Sequence, residues 1–173
     1  MEIRQLEHRD RAAMERFIAR VPEGDRTFFK ENVDDPAVVA AWTQPGAARA
    51  IAVEGDEVIG YVAVVPLQGW SSHVGEVRVI VDPAARGRGV GRALARHAIL
   101  TALELGLTKM IVEVVADQEA TVAMFRSLGF DPEALLADHV RDQNGELRDL
   151  MLLTHSVEGS WGSLNITGIA ESV

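Results

Sequence analysis

The stretch VDPAARGRGVGRAL, residues 81–94, places six glycines and arginines among fourteen positions, between an apolar run and a helix-like run. Arg86, Gly87, Arg88, Gly89, Val90 and Gly91 therefore sit where a strand turns into a helix. Glycine gives up extra conformational entropy on folding, and close arginines repel one another. Something bound at the hinge must offset both. A strand that enters a helix through glycines turns several backbone N–H groups the same way, and the helix dipole adds partial positive charge there. Phosphate or pyrophosphate is the ligand such a hinge suits.

Three phosphate-binding designs compete. A Walker A loop needs Gly-Lys-Ser/Thr, and none follows Gly91. A dinucleotide fingerprint needs G-x-G-x-x-G after the first strand of a βαβ unit. Here the glycines at 87, 89 and 91 run G-x-G-x-G, after the fourth predicted strand. The third design is R-x-x-G-x-G, met by Arg86, Gly89 and Gly91 behind an apolar run ending in Val81-Asp82-Pro83.

Working outward, Val74–Val81 reads as a strand and Gly89–Leu105 as a long helix, with Val90, Leu94, Ala98 and Ala102 on one face. Met110–Val115 is a short buried strand, and Glu119–Leu128 a helix closed by Gly129. A hairpin follows: Leu136–Arg141, a turn at Asn144-Gly145, then Leu147–His155. Toward the N-terminus, Ile3–Leu6 predicts a strand and Arg9–Arg20 a helix. Asp35–Trp42 predicts a second helix, with Asp35 as cap and Pro36 in its first turn. Ala48–Glu54 and Val58–Val65 predict two strands joined at Gly55-Asp56. The order is β-α-α-β-β-β-α-β-α-β-β. It predicts an α/β (α+β) fold: a mixed, mostly antiparallel sheet of about seven strands flanked by helices. Residues 1–155 form the domain in this reading, and residues 156–173 a C-terminal tail.

GEVRVIVDPAARGRGVGRALARHAI resembles the coenzyme A-binding segment of the GNAT superfamily of N-acetyltransferases. MFRSLGF, residues 124–130, resembles that superfamily's next motif, a helix ending in a Gly-Phe pair. The predicted element order fits as well, so the resemblance spans about residues 1–155. It implies that acetyl-CoA is the co-substrate, with its pyrophosphate on the N–H groups of Gly87, Arg88, Gly89, Val90 and Gly91. Arg86, Arg88 and Arg92 would supply charge, and the main chain of Val79, Ile80 and Val81 would pair with the pantetheine arm. The fourth and fifth strands would splay apart, with the thioester in the gap. The implied reaction moves acetyl to a primary amine, on a small molecule or a protein lysine, by direct attack in a ternary complex.

Such a transfer needs a base for the ammonium and helps the thiolate leave if it gains a proton. Glu76, on the strand leading to the hinge, is the first candidate base, although the superfamily's glutamate aligns nearer Gly75. A slip of one residue turns a strand side chain to the other face. Glu113, in an otherwise apolar strand, is the second. Phe125 stands on the helix that borders the coenzyme, where many relatives carry a tyrosine whose hydroxyl protonates the sulfur. The chain's single tyrosine is Tyr61. Water or Ser127 is left to protonate the thiolate, or it leaves unassisted. A second reading follows from Phe125: a non-catalytic acyl-CoA-binding regulator. For the acceptor, the resemblance points to a region that includes Phe28, Phe29, Trp42, Trp70 and His139, with Asp34, Asp35 and Asp138 to attract an amine. Phe28 and Trp42 read more readily as core.

The remaining classes are narrowed by composition. A net charge of −9 argues against nucleic acid; it either attracts a cationic substrate or simply keeps the surface soluble. The chain has no cysteine, which excludes disulfides, thiolate zinc sites and cysteine nucleophiles. No histidine pair has metal-ligand spacing, so no metal is expected. MEIRQLEHRDRAAMERF is charged throughout, unlike a signal peptide, and no apolar run approaches the roughly 18 residues of a membrane span. A cytoplasmic location is expected. The hairpin and tail, with Trp161, Leu164 and Ile166, suggest a homodimer contact.

Overall fold

The apolar run Val74–Val81 forms β4, and in the computed structural model, which describes residues 1–44 and 46–157, the rest of the fold is arranged around it. The other strands are β1 (Glu2–Gln5), β2 (Arg49–Glu54), β3 (Glu57–Pro66), β5 (Lys109–Val115), β6 (Asp131–Arg141) and β7 (Leu147–Ser156). They make one seven-stranded sheet in the order β1-β2-β3-β4-β5-β7-β6. Every neighbouring pair is antiparallel except β4 and β5. The helices are α1 (Arg11–Arg20), α2 (Glu23–Arg26), α3 (Pro36–Trp42), α4 (Val90–Glu104) and α5 (Glu119–Arg126). This is the mixed, mostly antiparallel sheet that the element order predicts.

The period-2 alternation of strand side chains divides β4 between two cores. Val77, Val79 and Val81 face α4, where Val90, Leu94, Ala95, Ala98, Ile99 and Ala102 are buried. Glu76, Arg78 and Ile80 face the other side, toward α1, α3 and the segment between them. Trp42, Phe29 and Tyr61 stack at the centre of that second core, with ring centroids 5.0–5.6 Å apart. Gly75 fixes this division. A Cβ there would stand 2.6 Å from Leu107 Cδ1 and 3.2 Å from Val64 Cγ1. Position 75 thus belongs to the α4 side and has no room for a carboxylate, whereas Glu76 points to the opposite face.

Asp35 accepts the Ala37 N–H at 2.9 Å and Pro36 occupies the first turn of α3, as the sequence predicts. Four elements differ from expectation. Pro22 ends α1 but also starts α2, its carbonyl accepting the Asp25 N–H at 2.9 Å. A 3₁₀ turn over Thr27–Phe29 then carries the chain to the sheet. The last hairpin is longer than read, because β6 begins at Asp131. Its register shifts at Pro132/Ala134 and at Leu136/Val140 break the alternation by which a strand is recognised. β7 runs to Ser156 and Val157 is buried, slightly beyond the boundary at 155. Residues 158–173, with Trp161, Leu164 and Ile166 of the suggested dimer contact, lie outside the described residues.

Candidate active site

β4 and β5 pair at only three positions, Val74 with Lys109, Gly75 with Met110 and Glu76 with Ile111. Beyond them each strand is held from its outer side alone. β3 follows β4 to the pair Gly60–Val81, and β7 follows β5 to Val115–Leu150. The sheet opens there into a cleft of about 860 Å³, lined by the splayed strands, the hinge after β4 and one face of α5.

The hinge forms the upper end of this cleft. Asp82 folds a 3₁₀ turn over Pro83–Ala85 by accepting the Ala84 N–H at 2.9 Å, and it also accepts Arg20 Nε at 2.7 Å. Burial raises its pKa, but those two bonds outweigh it and leave the carboxyl below its ordinary value. Gly87 and Gly89 follow at φ +73° and +83°, and no atom lies within 4 Å of where a Cβ would stand on either. The backbone there is bare. α4 starts immediately after, so the N–H groups of its first turn face the same opening. This arrangement fits a pyrophosphate. Val79, Ile80 and Val81 present the edge of β4 that has lost its β5 partner, which suits an extended ligand arm.

The arginines are placed unequally. Arg86 lines the cleft, bound to Asp25 at 2.5 Å and to the Val81 carbonyl at 3.3 Å. Arg92 also lines it and donates to Ser127 Oγ at 2.8 Å. Arg88 turns to Glu54 on β2, 2.6 Å away, and does not line the cleft. It is the one member of the expected phosphate set that the structure sets apart.

Halfway down, the cleft changes from backbone to side chains. Lys30 Nζ reaches between the strands, bonding Glu76 Oε1 and Glu113 Oε2, the latter at 2.6 Å. Arg78 holds the other Glu76 oxygen at 2.9 Å. It also donates to the Phe29 carbonyl at 3.0 Å and to Glu31 at 2.8 Å. Glu31 further accepts Trp42 Nε1 at 2.8 Å and Arg49 at 2.9 Å. A chain of alternating charge thus runs Arg49–Glu31–Arg78–Glu76–Lys30–Glu113. Glu76 is buried, which raises its pKa, but Lys30 and Arg78 more than compensate and hold it below the ordinary carboxylate range. Glu76 is therefore a firm anion. Glu113, with Lys30 as its partner and a side chain 30% exposed, is less tightly held.

The model of the Acetyltransferase (GNAT) family matches residues 10–130. The chain belongs to that family. Among curated relatives, an uncharacterised N-acetyltransferase of Escherichia coli is 28% identical over 137 residues, covering 75% of this chain and 81% of its own. A mycothiol acetyltransferase of Paenarthrobacter aurescens is 40% identical over 93 residues, but those cover 51% of this chain and only 28% of that enzyme. Among solved structures, Salmonella typhimurium yncA with its cofactor acetyl-CoA superposes with a TM-score of 0.76 at 22% identity, covering 90% of this chain and 93% of that one. A ribosomal-protein-alanine N-acetyltransferase from Brucella melitensis gives 0.76 at 23%, covering 90% and 99%. At those identities the likeness speaks for the fold.

For a GNAT chain, the departures are specific. Phe125 lines the cleft, 2% exposed and edge-on to Phe130 at 5.2 Å. Tyr61 cannot replace a missing hydroxyl at 125, because it is fully buried on the other side, its oxygen held by Arg49. Ser127 is removed as a proton source too: its hydroxyl donates to the Met124 carbonyl at 2.6 Å and it does not line the cleft. The acceptor aromatics separate. Trp42 and Phe29 are core, Trp70 is 97% exposed and His139 is exposed. Phe28, read as core, packs against the second core and also lines the cleft. Asp34 pairs with Arg26, Asp35 caps α3, and the Asp138 N–H bonds Asp149, so none of the three serves the cleft. The carboxylates that do line it, besides Glu76 and Glu113, are Asp25, Asp117 and Glu119. Sequence reasoning missed these, along with Lys30, Glu31 and Thr121. A signal for Lys30 was present: the chain has only two lysines, Lys30 and Lys109, against fifteen arginines. Among the described residues, no cluster of His, Cys, Asp or Glu is set to hold a metal, and no helix is long and apolar enough to cross a membrane.

Proposed function

We propose that this chain transfers acetyl from acetyl-CoA to a primary amine, with the cationic amine received between Glu76 and Glu113. The observation that carries the reading is the single cleft joining an open, glycine-lined anion site to a pair of carboxylates already arranged around an ammonium. Acetyl-CoA supplies the thioester. Gly87, Gly89 and the first turn of α4 bind its pyrophosphate, and Val79–Val81 orient its arm. Glu76, ionised and fixed by Arg78, anchors the incoming ammonium. Glu113 accepts the proton that the ammonium must lose and can pass it to solvent. This ordering reverses the first expectation, in which Glu76 was the base. Two strong cationic partners make Glu76 reluctant to take a proton.

The acceptor approaches past Phe28, Asp25, Asp117 and Gln118. These residues line the cleft and also a neighbouring cavity of about 480 Å³ beneath the β6–β7 turn. Their acidity favours a cationic amine over an anionic one.

The test is release of free CoA thiol from acetyl-CoA across a panel of amines and lysine peptides. With no cysteine, the protein adds no thiol of its own. Release that depends on one amine class supports the enzyme and names its acceptor. No release, with acetyl-CoA still raising the melting temperature, favours the second reading that Phe125 suggests, an acyl-CoA-binding regulator.

A further inference from the structure

The cleft holds an amine of the protein's own. Lys30 Nζ lies between Glu76 and Glu113, on the spot where the proposed function needs an acceptor nitrogen. Its delivery there is over-determined. Lys30 adopts a left-handed backbone, φ 57°, which is costly for a side chain of its kind. The residue before it, Phe29, is buried in the aromatic stack, with its carbonyl bound to Arg78. The residue after it, Glu31, is clamped by Trp42, Arg49 and Arg78. The neighbours hold the strained backbone, and the strain aims the side chain into the gap.

The choice of residue is informative. In a chain that uses arginine fifteen times and lysine twice, one of the two lysines stands here. If charge neutralisation were the whole task, arginine would serve, and its planar fork suits two carboxylates better. Lysine differs in one chemical respect that matters in this cleft: it can lose a proton and become a nucleophile.

We propose that Lys30 is an acetyl acceptor of the protein itself, modified in cis by the acetyl-CoA bound in the same cleft. This rests on the proposed acetyl-CoA reading. The ε-ammonium yields a proton to Glu113, and the freed amine attacks the thioester carbonyl carbon. A C–N bond forms and the C–S bond breaks. Of the two protons the nitrogen loses in all, one leaves through Glu113 to solvent and the other ends on the CoA sulfur. The products are Nε-acetyl-Lys30 and free CoA.

The experiment is to incubate the full-length protein with acetyl-CoA, without any added amine, and follow intact mass and peptide maps over time. Lys109, on the surface and paired with Glu133, is the internal reference for indiscriminate chemical acetylation. The expected result is one acetyl group on Lys30 while Lys109 remains free. The first-order rate should not change on dilution, and it should fall about 10²-fold in Glu113→Gln. In Lys30→Arg, which keeps the charge, the intact mass should stay unchanged over the time in which the wild type gains one acetyl group. Equal labelling of both lysines, a rate proportional to protein concentration, or an unmodified Lys30 in protein that acetyl-CoA stabilises against heat would each overturn the proposal and leave the transferase reading standing. Absence of any stabilisation by acetyl-CoA would instead overturn the reading beneath it.

Discussion

The two ends of the cleft bind by different means. At its upper end β4 passes into Gly87 and Gly89, and what the hinge offers a ligand is bare backbone with a helix terminus behind it. At its lower end the same strand contributes Glu76 and Arg78 to a network assembled from distant segments. Backbone recognition needs open space and the right torsion angles, so it tolerates little at a few consecutive positions. Side-chain recognition needs charge balance, so it is spread over many positions and each can be altered singly. The donor end should therefore fail all at once, and the acceptor end by degrees.

Gly89→Glu gives the largest expected effect. The new side chain enters the open space at φ +83° and puts a carboxylate where phosphate should sit. Losing two charge-assisted hydrogen bonds, at about 1.5–3 kcal/mol each, weakens acetyl-CoA binding on the order of 10³-fold. Calorimetric titration of the folded variant checks this, and unchanged affinity would place the pyrophosphate elsewhere.

Next is Glu113→Gln, which keeps the shape and a hydrogen-bonding group beside Lys30 but removes the base. Turnover should fall about 10²–10⁴-fold, with acetyl-CoA affinity intact. If Glu76→Gln lowers turnover more than Glu113→Gln does, the assignment of roles between the two carboxylates is reversed.

The distinct signature of Glu76→Gln is in stability. Lys30 and Arg78 each lose one of two carboxylate partners, Lys30 keeping Glu113 and Arg78 keeping Glu31, a cost of about 1–3 kcal/mol. Folded Glu76 binds a proton less readily than unfolded Glu76, because its pKa is lowered. Its contribution is thus complete above the ordinary carboxylate range and is lost as pH falls through that range and below it. Melting temperatures of wild type and variant should differ most near neutrality and converge toward acid. A difference that stays constant with pH would mean the charge of Glu76 is not what stabilises.

The same contrast decides what could be read without a structure. Arg86, Gly89 and Gly91 lie within six consecutive residues, so their meaning is local and the hinge is legible as written. The acceptor network joins Lys30, Glu31, Trp42, Arg49, Glu76, Arg78 and Glu113, which only the sheet register brings together. Glu76 is visible as a candidate, but its face is decided by the contact between position 75 and Leu107, which no pattern in β4 announces. Trp70 shows the reverse failure: an aromatic in the right loop that touches solvent, 97% exposed. The single lysine among arginines in the first half of the chain was the one acceptor-side signal open to simple counting.

Lys30→Met removes the resident amine and should lower the KM for an external cationic amine severalfold, by ending competition for the two carboxylates. Initial-rate kinetics at saturating acetyl-CoA measure it. A raised KM would make Lys30 part of the acceptor site rather than its occupant.

The smallest expected effects concern the departing thiolate. Phe125 offers it no proton, and Thr121, one turn earlier on α5, carries the single hydroxyl among the described side chains lining the cleft. A threonine hydroxyl is too weak an acid to deliver a proton outright, but it can donate a hydrogen bond to developing negative charge on sulfur. One such bond is worth about 0.7–1.4 kcal/mol in a site open to water. Thr121→Val should then slow turnover about threefold to tenfold, and Phe125→Tyr should raise it by a similar factor. The double variant tells whether the two act on the same atom. If the tyrosine supplies what the threonine did, Thr121→Val costs little in the Phe125→Tyr background. If the two effects multiply, they act at different points of the reaction, and at most one of the two acts on the departing sulfur.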